Sequence, residues 1–258
     1  MQDIVGTISQ KHADALWDHT HQLAPARFTA YQQKDDADPL DSLARYLWNM
    51  ALCEAICPTL NFAEIVLRNT LHNRMSVRLN SMFWFDTPDL LLPAQEKDLE
   101  SARSKLASKN KRETANHVVA ELSFGFWTAL LSKPYEDVVT RPLLRGEFPN
   151  WPSHLKQRNE LSKRFQVART IRNRAHHLEP IWHRKSLDIE HEEIKEAIVW
   201  LSPLFGTLLK TIDRFPHVLA AGPGKYRVRL EQLLPQGVPK ENVSLVGEGK
   251  QNALTSLG

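Results

Sequence analysis

The 258-residue chain contains only two cysteines, Cys53 and Cys57. Their spacing puts both on one face of a helix among apolar residues, which predicts two buried structural thiols rather than a disulfide or half of a metal site. Glycine is also scarce, with 10 residues, and no long segment alternates apolar and polar residues as a strand would. The dominant period of the apolar residues is helical, so the predicted fold class is all-α.

Signals for metals, membranes and export are missing as well. The histidines, cysteines and carboxylates form no set with metal-ligand spacing, so neither a metal nor another cofactor is expected. No apolar run approaches the ~20 residues that cross a bilayer. The start of the chain, MQDIVGTISQKHADALW, lacks the apolar core of a signal peptide. We therefore expect a cytoplasmic protein without membrane contact.

Helical periodicity and turn residues predict how the chain is organised. One helix runs from residue 41 until Pro58 ends it, and a second covers 59 to 79. A third covers 94 to 107, and two short pieces meet near Gly125. Residues 132 to 139 and 145 to 154 are predicted connections. Long helices are predicted for 155 to 177 and 187 to 215, and further helices before residue 41.

The pattern changes after Phe215, where proline and glycine interrupt it. The stretch YRVRLEQLL fits a short helix or a strand, and no clear period follows it. We expect a helical domain over 1 to 215. Residues 216 to 258 are expected to form a short irregular C-terminal appendage, either packed on the core or loose.

The formal net charge is only +3, but its distribution is uneven. Between Trp151 and Leu178, seven basic residues stand against one acid, Glu160, which gives this stretch an excess of +6, twice that of the whole chain. The seven basic residues are Lys156, Arg158, Lys163, Arg164, Arg169, Arg172 and Arg174. Such a local field fits a phosphate-bearing partner. It fits a solvated basic helix face equally well.

The predicted helix 155 to 177 carries the stretch IRNRAHHLEP. Its apolar stripe is Leu161, Phe165, Ala168, Arg172 and Ala175, so an arginine occupies a position that should be apolar. A buried arginine is costly unless its charge is paired, which favours a functional role. Of the two adjacent histidines, His176 shares the face of this arginine, whereas His177 would share it only if the helix unwinds. Spacing alone leaves the choice open.

Three segments in this order resemble the bacterial abortive-infection (Abi-like) proteins, whose domain belongs to the HEPN superfamily of helical ribonucleases. They are YLWNMALCEAICPTLNFAEIVLRNTLHNRM with its Glu-x-x-x-Arg-Asn, LSFGFWTALL with its Phe-Gly-Phe-Trp, and RNRAHHLEPIWHR with its arginine, polar residue and histidine followed by Glu-Pro. The resemblance covers about residues 41 to 200. Relatives often have a second histidine directly after the motif histidine, where this chain has Leu178.

This resemblance implies a HEPN-like helical bundle and a metal-independent endoribonuclease with an R-x4-H motif. It assigns the catalytic positions to Arg172, Asn173 and His177. It also implies a toxin-type effector in phage defence and a homodimer whose two motifs face each other. RNA is then the substrate, and an antitoxin or a regulatory RNA is a further partner. The chemistry is consistent, because histidine moves protons near neutral pH and arginine stabilises phosphorane charge.

Other residues are candidates for supporting the site or binding RNA, and these are His176, Arg174, Glu64, Arg68, Asn69 and Arg169. Glu64 and Arg68 stand four apart on a helix, where such a pair commonly forms a modest ion pair that braces the fold. The aromatic cluster Phe124, Phe126 and Trp127 fits a core better than a base-stacking surface. The alternative function is a non-catalytic RNA-binding or regulatory module of the same fold. A purely structural interaction domain is the third.

Overall fold

The computed structural model describes residues 29–34, 39–146 and 148–233, and this part of the chain contains helices and no strand. The predicted all-α class is confirmed. The helices are α1 (Pro39–Arg78), α2 (Pro93–Ser108), α3 (Ala115–Glu121), α4 (Phe124–Ala129), α5 (Arg141–Leu144), α6 (Arg158–His176), α7 (Leu187–Leu201), α8 (Pro203–Ile212), α9 (Phe215–Ala221) and α10 (Gly224–Leu233). The helices predicted before residue 29 and the tail after residue 233 lie outside the described residues.

The chain divides into two compact units. The larger unit is Trp48–Ala221, and the smaller one combines Met1–Leu47 with Gly222–Gly258. The larger unit thus extends past the domain boundary expected at residue 215. In the smaller unit, an ion pair joins the start of α1 to α10, since the Arg227 guanidinium lies 2.5 Å from the Asp41 carboxylate. The stretch YRVRLEQLL, which in the sequence fits a short helix or a strand, is helical and belongs to α10.

Pro58 does not end a helix, so the predicted break there is wrong. It lies inside α1, which runs for 40 residues without interruption. Proline inside a helix costs roughly 3 kcal/mol, because it cannot donate to the carbonyl four residues earlier and its ring crowds that turn. Burying one large aliphatic side chain contributes about 1.5–3 kcal/mol. Ile56 and Leu60, on either side of the proline, are fully buried, and such burial outweighs the cost.

The length and composition of α1 also change one expectation from the sequence. An 18-residue window within Leu40–Arg78 has a mean hydropathy of 1.5 with at most two charged residues, which by length and composition alone is enough to cross a membrane. The expectation that no apolar run approaches that length is therefore wrong. Half of the window is buried inside the protein. The core helix of a soluble protein has the same properties.

Two other helix boundaries show how local chemistry overrides an apolar period. The predicted helix 187 to 215 is broken before Pro203, because a residue that precedes proline avoids the α region. Ser202 accordingly has extended dihedral angles, φ −154° and ψ 98°. The predicted connection 132 to 139 is instead largely helical, with a 3-10 turn at Lys133–Tyr135 and a π turn at Glu136–Thr140.

The segment around Gly125 forms two short helices, as predicted, although the break precedes that glycine. Thr114 caps the start of α3 by accepting a hydrogen bond from the backbone of His117. Ser123 caps α4 in the same way through the backbone of Phe126. Side-chain caps of this kind satisfy backbone donors at a helix start. Gly125 therefore lies inside α4 rather than between the two helices.

Both cysteines are free thiols, Cys53 buried and Cys57 partly buried. Burial, followed by the proximity of Cys57, raises the pKa of Cys53 to about 11. The thiol therefore stays protonated and unreactive at neutral pH. This agrees with the structural role predicted from the sequence.

Two buried histidines are held in the neutral form. His191 Nε2 lies 3.1 Å from Thr59 Oγ1 and 3.3 Å from Asp213 Oδ1, and burial lowers the pKa of His191 despite that carboxylate. His72 Nδ1 accepts a hydrogen bond from Trp84 Nε1 at 3.0 Å, and burial lowers the pKa of His72 as well. Both side chains therefore resist protonation in the folded protein.

Acidification from pH 7.5 to pH 5.5 should lower the free energy of unfolding. In the unfolded chain, these two histidines take up protons as pH falls through their ordinary pKa of 6.5, whereas in the folded protein they do so only at a lower pH. The unfolded state is therefore stabilised relative to the folded state as pH falls. Each unit of pKa difference contributes about 1.4 kcal/mol. Urea unfolding at the two pH values measures the loss. His191→Gln should reduce it and the exposed His154→Gln should not, while equal stability at both pH values would contradict the prediction.

Candidate functional site

The motif helix α6 ends in a tight C-terminal turn. The backbone N–H of Leu178 donates to the Ala175 carbonyl at 3.1 Å, and that of Glu179 donates to the Arg174 carbonyl at 2.9 Å. This pair of hydrogen bonds is the Schellman motif, which usually has glycine at the left-handed position. Here Leu178 occupies that position with a φ of +52°, at a steric cost of roughly 1–2 kcal/mol. The chain leaves the helix at His177.

A buried asparagine on α1 holds the segment that follows this turn. Asn49 is 1% exposed. Its Oδ1 accepts from the backbone N–H of Ile181 at 2.8 Å and of Trp182 at 3.2 Å, and its Nδ2 donates to the Glu179 carbonyl at 3.4 Å. One side chain thus satisfies three backbone groups and fixes where the chain goes after the motif. The signal in the sequence was an asparagine on the apolar stripe of α1, three residues before Leu52.

The two motif histidines have different surroundings. His176 Nδ1 lies 2.9 Å from the Arg172 carbonyl, and because a carbonyl only accepts, this nitrogen carries the hydrogen. The ring therefore satisfies a carbonyl in the last turn of the helix, as basic side chains near a helix end commonly do. His177 is exposed, and its side chain makes no hydrogen bond within the described part of the chain. Both of its ring nitrogens are available to a ligand.

Arg172 is half-buried, with 35% of its side chain exposed. Its nearest charged partner is Glu64 on α1, with 3.7 Å between Nη2 and Oε2. This distance is longer than that of a charge-assisted hydrogen bond, which is typically 2.7–2.9 Å. Its Nε is buried and has no hydrogen-bond partner among the described residues. The guanidinium is thus neutralised only in part and retains an unused donor.

The predicted ion pair between Glu64 and Arg68 is replaced by a contact between helices. Glu64 pairs with Arg172 on α6, while Arg68 Nε donates to the neighbouring Asn69 Oδ1 at 3.3 Å. Within the described residues, no carboxylate lies within 4 Å of Arg68. The pair therefore does not brace α1 as expected. Glu64 instead connects α1 to the motif.

The remaining candidates on α6 have separate environments. Arg174 Nε donates to the Pro180 carbonyl at 3.2 Å and lies 3.7 Å from Glu179, so its guanidinium stabilises the turn. Asn173 is exposed. Arg169 lies beside Gly125, where an added Cβ would be 3.7 Å from its Nη1. Arg169 has no ion pair in the part of the chain that is described.

The deeply buried arginine of the motif helix is Arg164 rather than Arg172. It is 5% exposed, and its guanidinium pairs with Glu160 and lies 3.4 Å from Glu196. Its Cζ is 4.5 Å from the centre of the Trp200 ring, within the range of a cation–π interaction. Trp200 in turn stacks on Trp151 with 5.2 Å between ring centres. The charge pattern alone did not separate this structural arginine from the others.

Most of the local basic excess is matched by carboxylates from other parts of the fold. Five of the seven cations have a carboxylate within 4 Å, and these are Arg158, Lys163, Arg164, Arg172 and Arg174. Lys156 donates to the Gly146 carbonyl at 2.9 Å. The excess of +6 read from the sequence is therefore far smaller in space. A phosphate would be attracted mainly by cations with weak partners.

The apolar residues on both sides of the site belong to the core. Phe124, Phe126 and Trp127 are buried as predicted, so they offer no face for stacking on bases. Leu161, Phe165 and Ala168 are also buried within the chain. A two-fold dimer could therefore use only exposed residues of the motif helix, and Leu161, Phe165 and Ala168 are not available for an apolar contact between two copies.

The structure brings Arg172 and Glu64 together but shows no hydrogen bond between Arg172 and the His177 side chain. Among the described residues, no group of three or more His, Cys, Asp and Glu side chains is arranged to hold a metal ion. The motif therefore offers a partly paired guanidinium on α6 and, five positions later, an exposed imidazole where the helix ends. Such an arrangement suits an anion with a transferable proton beside it.

Replacing Asn49 by leucine should destabilise the protein by about 2–4 kcal/mol, since buried backbone groups lose their partners. Asn49→Asp keeps the acceptor for Ile181 and Trp182 and should be less harmful. Urea unfolding gives the stability, and hydrogen exchange of the Ile181 amide reports the released segment. The exposed Asn61→Leu on the same helix is the control. Unchanged exchange at Ile181 in Asn49→Leu would refute this role.

No protein-family model, no curated protein and no solved structure matches the chain. The likeness to Abi-like proteins therefore stays a prediction that depends on the three segments that carry it. Any function must be argued from the chemistry of Arg172, His177 and their neighbours. The fold itself adds only the all-α class, which supports many unrelated activities.

Proposed function

We propose that this protein is a metal-independent endoribonuclease that cleaves RNA through the 2′-hydroxyl, with Arg172, Asn173 and His177 in its site. The observation that carries the proposal is the state of Arg172. Its guanidinium is 3.7 Å from Glu64, and its Nε has no hydrogen-bond partner among the described residues; five positions later, the His177 ring is exposed and makes no hydrogen bond in that part of the chain. A phosphate would pair with the exposed part of this guanidinium, whose charge Glu64 neutralises only in part.

The chemistry needs only groups of these residue types and the RNA itself. His177 takes the proton of the 2′-hydroxyl while the 2′ oxygen bonds to phosphorus, and general-base help of this kind contributes ~10²–10⁴ in rate. The bond from phosphorus to the 5′ oxygen breaks, and that oxygen takes a proton from solvent. Arg172 stabilises the charge on the phosphorane. Asn173, exposed one position after the arginine, orients either group.

We infer a biological role from the same resemblance. The protein would act in the cytoplasm as a HEPN-type, abortive-infection or toxin effector in phage defence. It would work as a homodimer that brings two copies of the motif together, and an antitoxin or a regulatory RNA would restrain it. Because Leu161, Phe165 and Ala168 are buried in each chain, the contact would involve exposed residues such as Asn173 and His177.

The alternative is a non-catalytic RNA-binding or regulatory module of the same fold. Two observations favour it. Most cations of α6 already have carboxylate partners, and no hydrogen bond joins Arg172 to His177 in the described residues. Catalytic hydrogen bonds are often loose without substrate, so this geometry does not decide between the two. The distinction is whether bound RNA is cut.

Arg172→Ala and His177→Ala should each lower RNA cleavage by at least ~10², since charge stabilisation and proton transfer are lost. The measurement is the cleavage rate of labelled tRNA, rRNA and mRNA, with circular dichroism to confirm that the variants stay helical. Cleavage should leave a 2′,3′-cyclic phosphate and a 5′-hydroxyl. It should persist in excess EDTA, and a 2′-O-methyl group at the cut site should block it.

Controls separate the motif from its neighbours. His176→Ala and the exposed Arg214→Ala should keep most of the activity, whereas loss of activity in His176→Ala alone would move the assignment by one residue. Fragments with a 5′-phosphate and a 3′-hydroxyl, formed only with magnesium, would show that this mechanism is wrong. If the wild type binds RNA but cuts none of the three substrates, the binding module is the correct reading.

Light scattering at micromolar concentration should give a mass of twice 29.6 kDa. Two Arg172 guanidiniums near a two-fold axis repel each other, so the dimer should be stabilised by phosphate or RNA between them. Arg172→Ala should weaken that dependence on the anion. A monomer that still cuts RNA would rule out a site shared between two copies.

A further inference from the structure

Two arginines line a cavity near the C-terminal end of α1, within the larger unit. The cavity has a volume of about 210 Å³. Its aliphatic lining includes Leu71 and Met75 from α1, Val139 from the π turn and Leu143 from α5, while Arg74 and Arg78 also line it. Both arginines are exposed and stand four residues apart, so they lie on neighbouring turns of one helix face.

Neither arginine has a carboxylate within 4 Å in the described part of the chain, although Glu147 lies outside it. Arg74 lies over the Phe148 ring, with its Cζ 5.2 Å from the ring centre. Arg78 donates to the Val138 carbonyl. Two like charges one turn apart repel each other by a few tenths of a kcal/mol. The pair therefore favours an anion.

Other arginines of the same region do have carboxylate partners. Arg158 Nε lies 3.1 Å from Glu136, and Arg141 pairs with Asp137. Two of the described acids near this cavity, Glu136 and Asp137, are therefore engaged by other arginines. Arg74 and Arg78 remain as a cationic pair next to an open aliphatic surface, which is complementary to a ligand with a carboxylate beside an apolar group.

We propose that this cavity binds an acidic peptide segment of a partner protein. One aliphatic side chain of the segment enters between Met75, Val139 and Leu143. Carboxylates on either side of it pair with the guanidiniums of Arg74 and Arg78, whose planar donor forks match carboxylate oxygens. The proposal does not depend on any nuclease activity, because it concerns a surface formed by α1, α5 and the π turn.

The lining favours a peptide over RNA. Proteins that bind single-stranded RNA stack its bases on aromatic rings or guanidinium planes and read base edges with polar groups. The lining offers two guanidiniums, that of Arg74 already lying over the Phe148 ring, but none of the lining residues is aromatic and none carries an amide or a hydroxyl to read a base edge. The volume is also below the roughly 300–1,000 Å³ typical of pockets for drug-sized ligands. A single aliphatic side chain suits it better.

The test is fluorescence anisotropy of the full chain with a labelled, end-blocked peptide, Glu-Asp-Leu-Leu-Asp-Glu. The peptide should bind, and binding should weaken at least about tenfold when its acids become Gln and Asn or when its leucines become serine. The double variant Arg74→Gln/Arg78→Gln should lose affinity to a similar degree. Val77→Glu adds a negative charge at a cavity-lining residue that is 83% exposed, and it should do the same without altering the core.

The matched control is Lys111→Gln/Arg112→Gln, which removes two exposed positive charges elsewhere in the larger unit and should leave peptide binding unchanged. Equal loss in this control would show unspecific charge attraction and overturn the proposal. A five-nucleotide RNA carries the same four charges as the peptide. Tighter binding of that RNA, lost in Arg74→Gln/Arg78→Gln, would assign the cavity to nucleic acid. Peptide binding that persists in both cavity variants would also overturn it.

Discussion

The geometry of the motif depends on the buried hydrogen bonds of Asn49. A helix end can continue in many directions, and the Schellman turn after α6 fixes only the first residues beyond it. The Asn49 amide then binds the backbone at Glu179, Ile181 and Trp182, which ties this segment to α1. The same helix supplies Glu64 to Arg172. One long helix therefore sets both the path of the chain after His177 and the partner of the arginine.

The role of each charged residue of α6 depends on the groups that contact it in the fold. In the sequence, Arg164 and Arg172 are two members of one basic run. In the fold, Arg164 is enclosed by Glu160, Glu196 and Trp200, so its charge is satisfied and contributes to the core. Arg172 has one carboxylate at 3.7 Å and 35% of its side chain exposed. Both arginines have a buried Nε without a hydrogen-bond partner among the described residues, so what distinguishes the candidate site residue from the structural one is that the charge of Arg172 is less completely paired and more exposed.

Sequence periodicity predicted most helices and the burial of Phe124, Phe126 and Trp127, because the apolar period records directly which face is covered. It failed where the effect of a residue on the local backbone conflicts with the packing of its neighbours in the fold. Pro58 is tolerated inside α1 because its flanks are buried, while Pro203 breaks a helix. The site was predictable in its residue types only. The link between Glu64 and Arg172, like the role of Asn49, joins residues more than a hundred positions apart, and spacing along one helix carries no information about such contacts.

The position of the motif at a C-terminal helix end limits what it can do alone. Carbonyl groups there carry a partial negative charge, which stabilises cations and disfavours a bound anion. His176 already uses one ring nitrogen on such a carbonyl. A phosphate at His177 would therefore need positive charge from beyond this turn, and Arg172, more than one helical turn earlier in the chain and partly paired with Glu64, supplies only one such charge. A second copy of the motif, placed opposite the first, would double that charge and offset the field of the helix end. The unfavourable dipole is thus a physical argument, independent of any resemblance, in favour of the proposed dimer.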